Sequence, residues 1–126
     1  VAIEPLAPGT NNNFLFNHLE AIKMCQEIDL PNVGVILDTY SGLQTESNLP
    51  DAIRETGKLL FHYHCNDLNR RAPGLGDTDF RPIMQALVDI DYPYYVSIEV
   101  FDFQPDPMEQ CRVGLATLRE ALAAAS

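Results

Sequence analysis

Four strand–helix units in series predict a parallel α/β chain, half of a (β/α)8 barrel. Three observations carry this expectation. An apolar stretch followed by an amphipathic helix recurs four times along the 126 residues, and strands that alternate with helices pair in parallel through helical crossovers. Val33-Gly34-Val35-Ile36-Leu37 is apolar on both faces, as a strand covered on both sides must be. The length also fits, because an eight-unit barrel takes about 250 residues, about 31 per unit, so four units need about 125. A doubly wound sheet would carry a glycine-rich phosphate turn after its first strand, and Gly9 stands alone there.

The first unit opens at once. Val1 to Leu6 reads as a short apolar strand ending at Glu4-Pro5, and an opening on a buried strand suggests that more chain precedes it. The Asn11-Asn12-Asn13 loop leads to a helix with Leu15, Leu19, Ile22 and Cys25 on its apolar face. The second strand, Val33 to Leu37, ends in Asp38, and a loop rich in Ser, Thr and Gly separates it from a helix over 49–58. The third strand closes on His62-Tyr63-His64, where a period of two puts both imidazoles on one face. The polar loop after it, with Asn66, Asp67, Asn69, Arg70, Arg71 and Gly74-Leu75-Gly76, suits the lining of a site better than a core. Its helix is expected to take Asp79 as N-cap and Pro82 in the first turn, burying Ile83, Met84, Leu87 and Val88. Tyr94 to Val100, with Glu99 at its end, is the fourth strand. Asp106, Pro107 and Glu109 predict a capping box for the last helix, whose apolar face would be Cys111, Leu115, Leu118 and Leu122.

Composition narrows the function classes. With 46% hydrophobic residues the chain suits one compact unit spanning residues 1–126. Its 8 basic and 18 acidic residues give a net charge of -10, which lacks the basic footprint of a nucleic-acid binder and suits a site that attracts cations. Cys25, Cys65 and Cys111 are odd in number and show no C-x-x-C spacing, so reduced thiols in a cytoplasmic protein are expected. No apolar run approaches the roughly 20 residues of a membrane span, and no signal peptide is evident.

Glu4, Asp38, His64 and Glu99 each fall at or near the carboxyl end of a successive strand, one per unit. In a barrel such positions converge at the top of the axis. Three carboxylates and an imidazole around one point repel unless a divalent cation neutralises them. Oxygen ligands with one nitrogen suit Mn²⁺, Mg²⁺ or Co²⁺, with Zn²⁺ also admissible. The competing reading makes each carboxylate a helix N-cap or a loop residue, as Asp38 before Thr39 would allow.

Glu4-Pro5-Leu6, Asp38-Thr39, His62-x-His64 with Asn69-Arg70-Arg71-x-Pro73-Gly74-x-Gly76, and Ile98-Glu99 carry a family resemblance. Together they resemble the C-terminal half of the xylose isomerase-like TIM barrels, in the sugar phosphate isomerase/epimerase group that includes ketose 3-epimerases. The resemblance spans essentially the whole chain, and its most specific part runs from His-x-His to Gly-x-Gly. It implies Glu4, Asp38, His64 and Glu99 as metal ligands, Glu4 and Glu99 as the proton-transferring pair, and Arg70 as a substrate-orienting cation with His62 nearby. The implied activity is metal-dependent isomerisation or epimerisation of a small sugar or sugar phosphate, with proton transfer next to a carbonyl. Two positions depart from the ketose epimerases: Ser41 stands where they carry a substrate-binding histidine, and Thr10 where an acidic or polar contact is usual. The particular sugar is therefore left open.

Three other functions were weighed. Dehydratases of cyclic polyols on the same fold need the same metal and base. Endonuclease IV-like phosphodiesterases use further histidines at the positions of Ser41 and Asp79, and the -10 charge opposes a grip on phosphates. Four strands alone leave two unpaired edges, so the chain is expected to be a fragment of a longer chain, inactive alone. Otherwise it is half of a homo-oligomer, or a binding remnant without catalysis.

Overall fold

The computed structural model describes residues 1–9 and 14–125. Thr10 and the Asn11-Asn12-Asn13 loop lie outside the described residues. Four strands, β1 Ala2–Ile3, β2 Gly34–Asp38, β3 Leu60–Cys65 and β4 Val96–Ile98, form one sheet in that order, every pair parallel. Helix α1 His18–Ile28 joins β1 to β2, and α2 Thr39–Thr45 with α3 Leu49–Thr56 joins β2 to β3. Helix α4 Arg81–Asp89 joins β3 to β4, and α5 Pro107–Ala124 follows β4. Consecutive strands lying side by side, each crossover helical, are four successive units of a (β/α)8 barrel.

The helix side of the sheet is the core, where Val35 and Leu37 of β2 meet Tyr63 and Cys65 of β3 under Ile53, Phe80 and Leu87. β3 does not keep a plain period of two. Val35 pairs with Leu60 but Ile36 pairs with His62, so Phe61 is one residue too many and forms a bulge. Without it Leu60 would share a face with His62 and His64; with it, Leu60 and Tyr63 both enter the core and the two imidazoles keep the opposite face. Gly34 makes room for the bulge, since a Cβ there would collide with the Phe61 ring.

The expected face of α1 is buried at Leu15 and Cys25 and partly at Ile22, with Leu19 the exception, whereas α5 buries another face than its apolar stripe suggests. In α1 the buried residues are His18, Ala21 and Cys25. Leu15 is buried ahead of the helix and Leu19 is 58% exposed. In α5 Gln110, Gly114 and Ala121 are buried and Leu118 is partly so, while Cys111 is exposed and Leu115 and Leu122 are 46% and 52% exposed. A helix at the end of a four-stranded sheet has a neighbour on one side only, and the remaining apolar residues overhang the open edge.

Smaller differences have local causes. The stretch after Asp38 forms α2, with Asp38 as its N-cap, and α3 ends at Thr56 in a 3-10 turn over Gly57–Leu59. Phe80 occupies the N-cap position of α4, although the Asp79 carboxylate still accepts from the Arg81 N–H at 3.0 Å. Val88 is exposed and Ala86 is buried in its stead. Asp106 accepts from the N–H groups of Met108 and Glu109, but the Glu109 side chain turns to Arg112 and leaves the capping box half made. No described helix is long and apolar enough to cross a membrane.

Tyr63 is fully buried and its hydroxyl lies 3.1 Å from Thr39 Oγ1, which also donates to the His64 carbonyl. Tyr63→Phe should cost about 1 kcal/mol, and Ile53→Ala about 2–5 kcal/mol through the cavity it leaves, both read by urea denaturation. A larger loss for Tyr63→Phe would contradict this packing.

Candidate metal centre

The parallel register brings the site together. Asp38 pairs with His64 across β2 and β3, and His64 with Ser97 across β3 and β4. Glu4 and Glu99 each follow their strand by one residue, so all four side chains leave the same end of the sheet. One ligand atom from each of Glu4, Asp38, His64 and Glu99 lies within 4.8 Å of every other. His64 Nδ1 stands 3.6 Å from Glu4 Oε1 and 3.5 Å from Glu99 Oε2, too far for good hydrogen bonds, and is buried without a hydrogen-bond partner. A buried, orphaned imidazole nitrogen facing carboxylates fits a divalent cation that Glu4, Asp38, His64 and Glu99 could hold.

Asp38 is a helix cap and also belongs to the candidate cation cluster. Its Oδ1 accepts the Ser41 N–H at 2.7 Å as a helix cap, and its Oδ2 accepts from Asn66 Nδ2 at 2.7 Å. Each carboxylate oxygen keeps a further lone pair for a cation. Asn66 is buried and its own Oδ1 accepts from the Tyr40 N–H, so it ties β3 to α2 and fixes the Asp38 carboxylate. Sequence reasoning placed Asn66 only in a polar loop. Its position two residues after His64, beside Asp38 in a parallel pair, is the signal that marks it.

The proton affinities share a direction. Burial raises Asp38, against the bonds from Ser41 and Asn66, and the charge of Glu4 adds to the rise. Burial likewise raises Glu99, with His64 opposing. For His64 the Glu4 carboxylate is the largest influence and raises it, burial opposes, and Glu99 and Asp38 add to the rise.

The two remaining predicted residues sit differently. His62 lies beside the cluster, its ring 4.9 Å from that of His64 and its Nε2 2.9 Å from Ser97 Oγ. Burial lowers its pKa, and the charge of His64 adds to this. Arg70 faces the cavity with a backbone φ of 64°. Its guanidinium carbon lies 4.5 Å from the Tyr40 ring centroid and 4.3 Å from that of Phe101. The cavity, about 420 Å³, is lined by Glu4, Asp38, Asn66, Arg70 and Glu99, with Leu6, Gly9, Tyr40, Ser41 and Phe101 around them. That size suits a small molecule.

Parallel strands that deliver three carboxylates and a histidine to one small cavity define a barrel protein with a candidate cation site at the carboxyl ends of its strands. Comparison with known sequences gives the family: residues 1–121 match the xylose isomerase-like TIM barrel, and the chain belongs to that family. Among curated relatives, the D-psicose 3-epimerase of Agrobacterium fabrum is 38% identical over 90 residues, 71% of this chain and 31% of that protein. A solved structure of 3-keto-D-glucoside 4-epimerase from E. coli superposes with a TM-score of 0.87 at 32% identity, over 95% of this chain and 45% of the other. A structure of D-psicose 3-epimerase in the presence of D-fructose gives a TM-score of 0.78 at 31% identity, over 97% and 46%. The chain thus spans less than half the length of the proteins it matches.

Asn66→Ala should weaken Mn²⁺ binding about 10–100-fold, as loss of a ligand's orienting partner does; titration calorimetry showing unchanged affinity would remove Asn66 from the site. A second expectation concerns pH. Asp38, Glu99 and His64 all hold protons more tightly than usual, and a cation must displace those protons. Mn²⁺ affinity should therefore fall on the acid side, by about tenfold per pH unit once His64 is protonated. In the metal-free protein the sign is opposite for stability: folding favours the protonated groups, so stability falls as pH rises from the carboxylate range through the raised His64 pKa. Melting curves across pH, with and without Mn²⁺, would show the two trends diverging.

Proposed function

We propose that this chain carries the cation-binding and proton-transferring half of a divalent-metal-dependent sugar isomerase or epimerase. One observation carries the reading: Glu4 and Glu99, from the two outer strands, flank the inner pair Asp38 and His64 at one cavity. Matches to sugar epimerases support it. A cation held by Glu4, Asp38, His64 and Glu99 would supply Lewis-acid stabilisation of the negative charge that develops on a sugar carbonyl oxygen during enolisation. Mn²⁺, Mg²⁺ and Co²⁺ suit this donor set, and Zn²⁺ is compatible with it.

Glu4 and Glu99 are the acid–base pair. One removes the proton from the carbon beside the carbonyl and the other returns a proton to the opposite face, which inverts that carbon. The raised proton affinity of Glu99 suits a group that must hold a proton for part of the cycle. Arg70, in no ion pair or hydrogen bond of its guanidinium among the described residues, offers its donors to a substrate oxygen. His62, bonded to Ser97, stands behind His64 and shapes the floor on which the sugar rests. A small unphosphorylated ketose or a sugar phosphate is the proposed ligand. The remaining strands that close the barrel would complete the substrate contacts. Three free cysteines agree with a reducing, cytoplasmic setting. A nuclease role draws no support from Ser41 or Asp79, since Asp79 is engaged by the Arg81 side chain at 2.7 Å.

The test is proton exchange. The intact protein that carries this chain, given D-psicose or D-fructose and Mn²⁺ in D₂O, should place deuterium on the carbon beside the carbonyl and lose turnover with chelator. Glu99→Gln should slow this by about 10²–10⁴-fold. Turnover without solvent deuterium, or turnover indifferent to chelator, would refute the mechanism.

A further inference from the structure

Arg70 is the one cation lining the cavity among the described residues, and two aromatic rings pack against its guanidinium: its carbon lies 4.5 Å from the Tyr40 ring centroid and 4.3 Å from that of Phe101. The cavity also holds Glu4, Asp38 and Glu99, yet no carboxylate or carbonyl hydrogen bond to this guanidinium occurs among the described residues. Two rings packed against it restrict the directions from which the cation can meet a ligand.

The backbone builds the stack. Arg70 adopts a left-handed φ of 64°, which only glycine and a few short polar residues take readily, and its N–H donates to the Asp67 carbonyl at 2.8 Å. That turn exposes the Arg70 carbonyl, which accepts the N–H groups of Phe101 at 2.9 Å and Asp102 at 3.1 Å. Arg71 Nε adds a 2.8 Å contact to Asp102 Oδ2. The segment that delivers the Phe101 ring is thus pinned to the residue whose side chain the ring covers. The second ring is carried by Tyr40, whose main-chain N–H donates to Asn66 Oδ1 at 2.8 Å.

We propose that Tyr40 and Phe101 are positioning residues that act through Arg70, holding its guanidinium so that its N–H donors are presented to a sugar oxygen. This rests on the reading of Arg70 as a substrate contact. A flexible ammonium, with no plane to clamp, does not replace it.

The test is a double-mutant cycle on the intact protein with Mn²⁺ and D-psicose. Tyr40→Leu and Phe101→Leu should each raise KM by about tenfold, equivalent to about 1.4 kcal/mol, with a smaller change in kcat. Arg70→Lys should raise KM at least as far. Tyr40→Leu added to Arg70→Lys should change nothing more, because its effect passes through the guanidinium; effects that multiply would overturn the proposal. A second readout needs no turnover. The side-chain protons of Arg70 should resonate upfield in NMR spectra under the two rings and move back in Tyr40→Leu and in Phe101→Leu. An unshifted Arg70 in the parent protein overturns the stack. A shifted Arg70 in a protein that turns over no ketose overturns the proposed function and leaves the stack standing.

Discussion

Three carboxylates and one imidazole share a space in which every ligand atom is within 4.8 Å of the others. At an effective dielectric of about 20, two carboxylates that close repel by roughly 4 kcal/mol, comparable with the stability of a small domain. Much of the surrounding structure offsets that repulsion. The Ser41 N–H and the Asn66 amide each give a hydrogen bond to Asp38, and burial moves Asp38 and Glu99 toward their neutral forms. The rest is left to a positive charge. The buried His64 Nδ1, without a hydrogen-bond partner among the described residues, is the atom best placed to join the carboxylates around such a charge.

The convergence depends on register more than on the loops. Parallel pairing sets Asp38 beside His64 and His64 beside Ser97, so the strands themselves fix the spacing of the inner pair. The Phe61 bulge is the irregularity that makes this compatible with a packed core. It allows Leu60 and Tyr63 to enter the core while both histidines face the cavity side. A bulge beside a functional residue re-aims a side chain without breaking the sheet.

What the sequence disclosed and what it withheld divide along physical lines. Strand-end carboxylates and the parallel α/β order were legible because a strand covered on both faces and a helix with one apolar face leave strong periodic signals, and Val33 to Leu37 shows one of them plainly. Helix α2 was hidden because seven residues including Ser, Gly and two Thr carry low helix propensity; its stability comes from the Asp38 cap and its position on the sheet. In α5 the apolar stripe is not the buried face, and in α1 Leu19 departs from an otherwise buried one, because periodicity finds the apolar stripe but not the neighbour that covers it. Gln110 shows the reverse case: it is buried because its amide accepts the Ala72 N–H and donates to the carbonyls of Asp102 and Gln104. No hydrophobic pattern announces such a bond. The Arg70 stack was equally silent, since Tyr40 comes from α2 and Arg70 and Phe101 from two different loops, and the three meet only in the folded chain.

Asp38 shows why a structural reading and a functional one need not compete. As a helix cap its Oδ1 is fixed by a main-chain N–H, and as the Asn66 acceptor its Oδ2 is fixed by a buried amide. Both bonds are formed by the folded chain itself, so a cation would meet a carboxylate that is already oriented. Orientation that folding has already fixed does not subtract from binding affinity. The capping bond is thus part of what makes Asp38 a good ligand, and the short helix behind it belongs to the site as much as the strands in front.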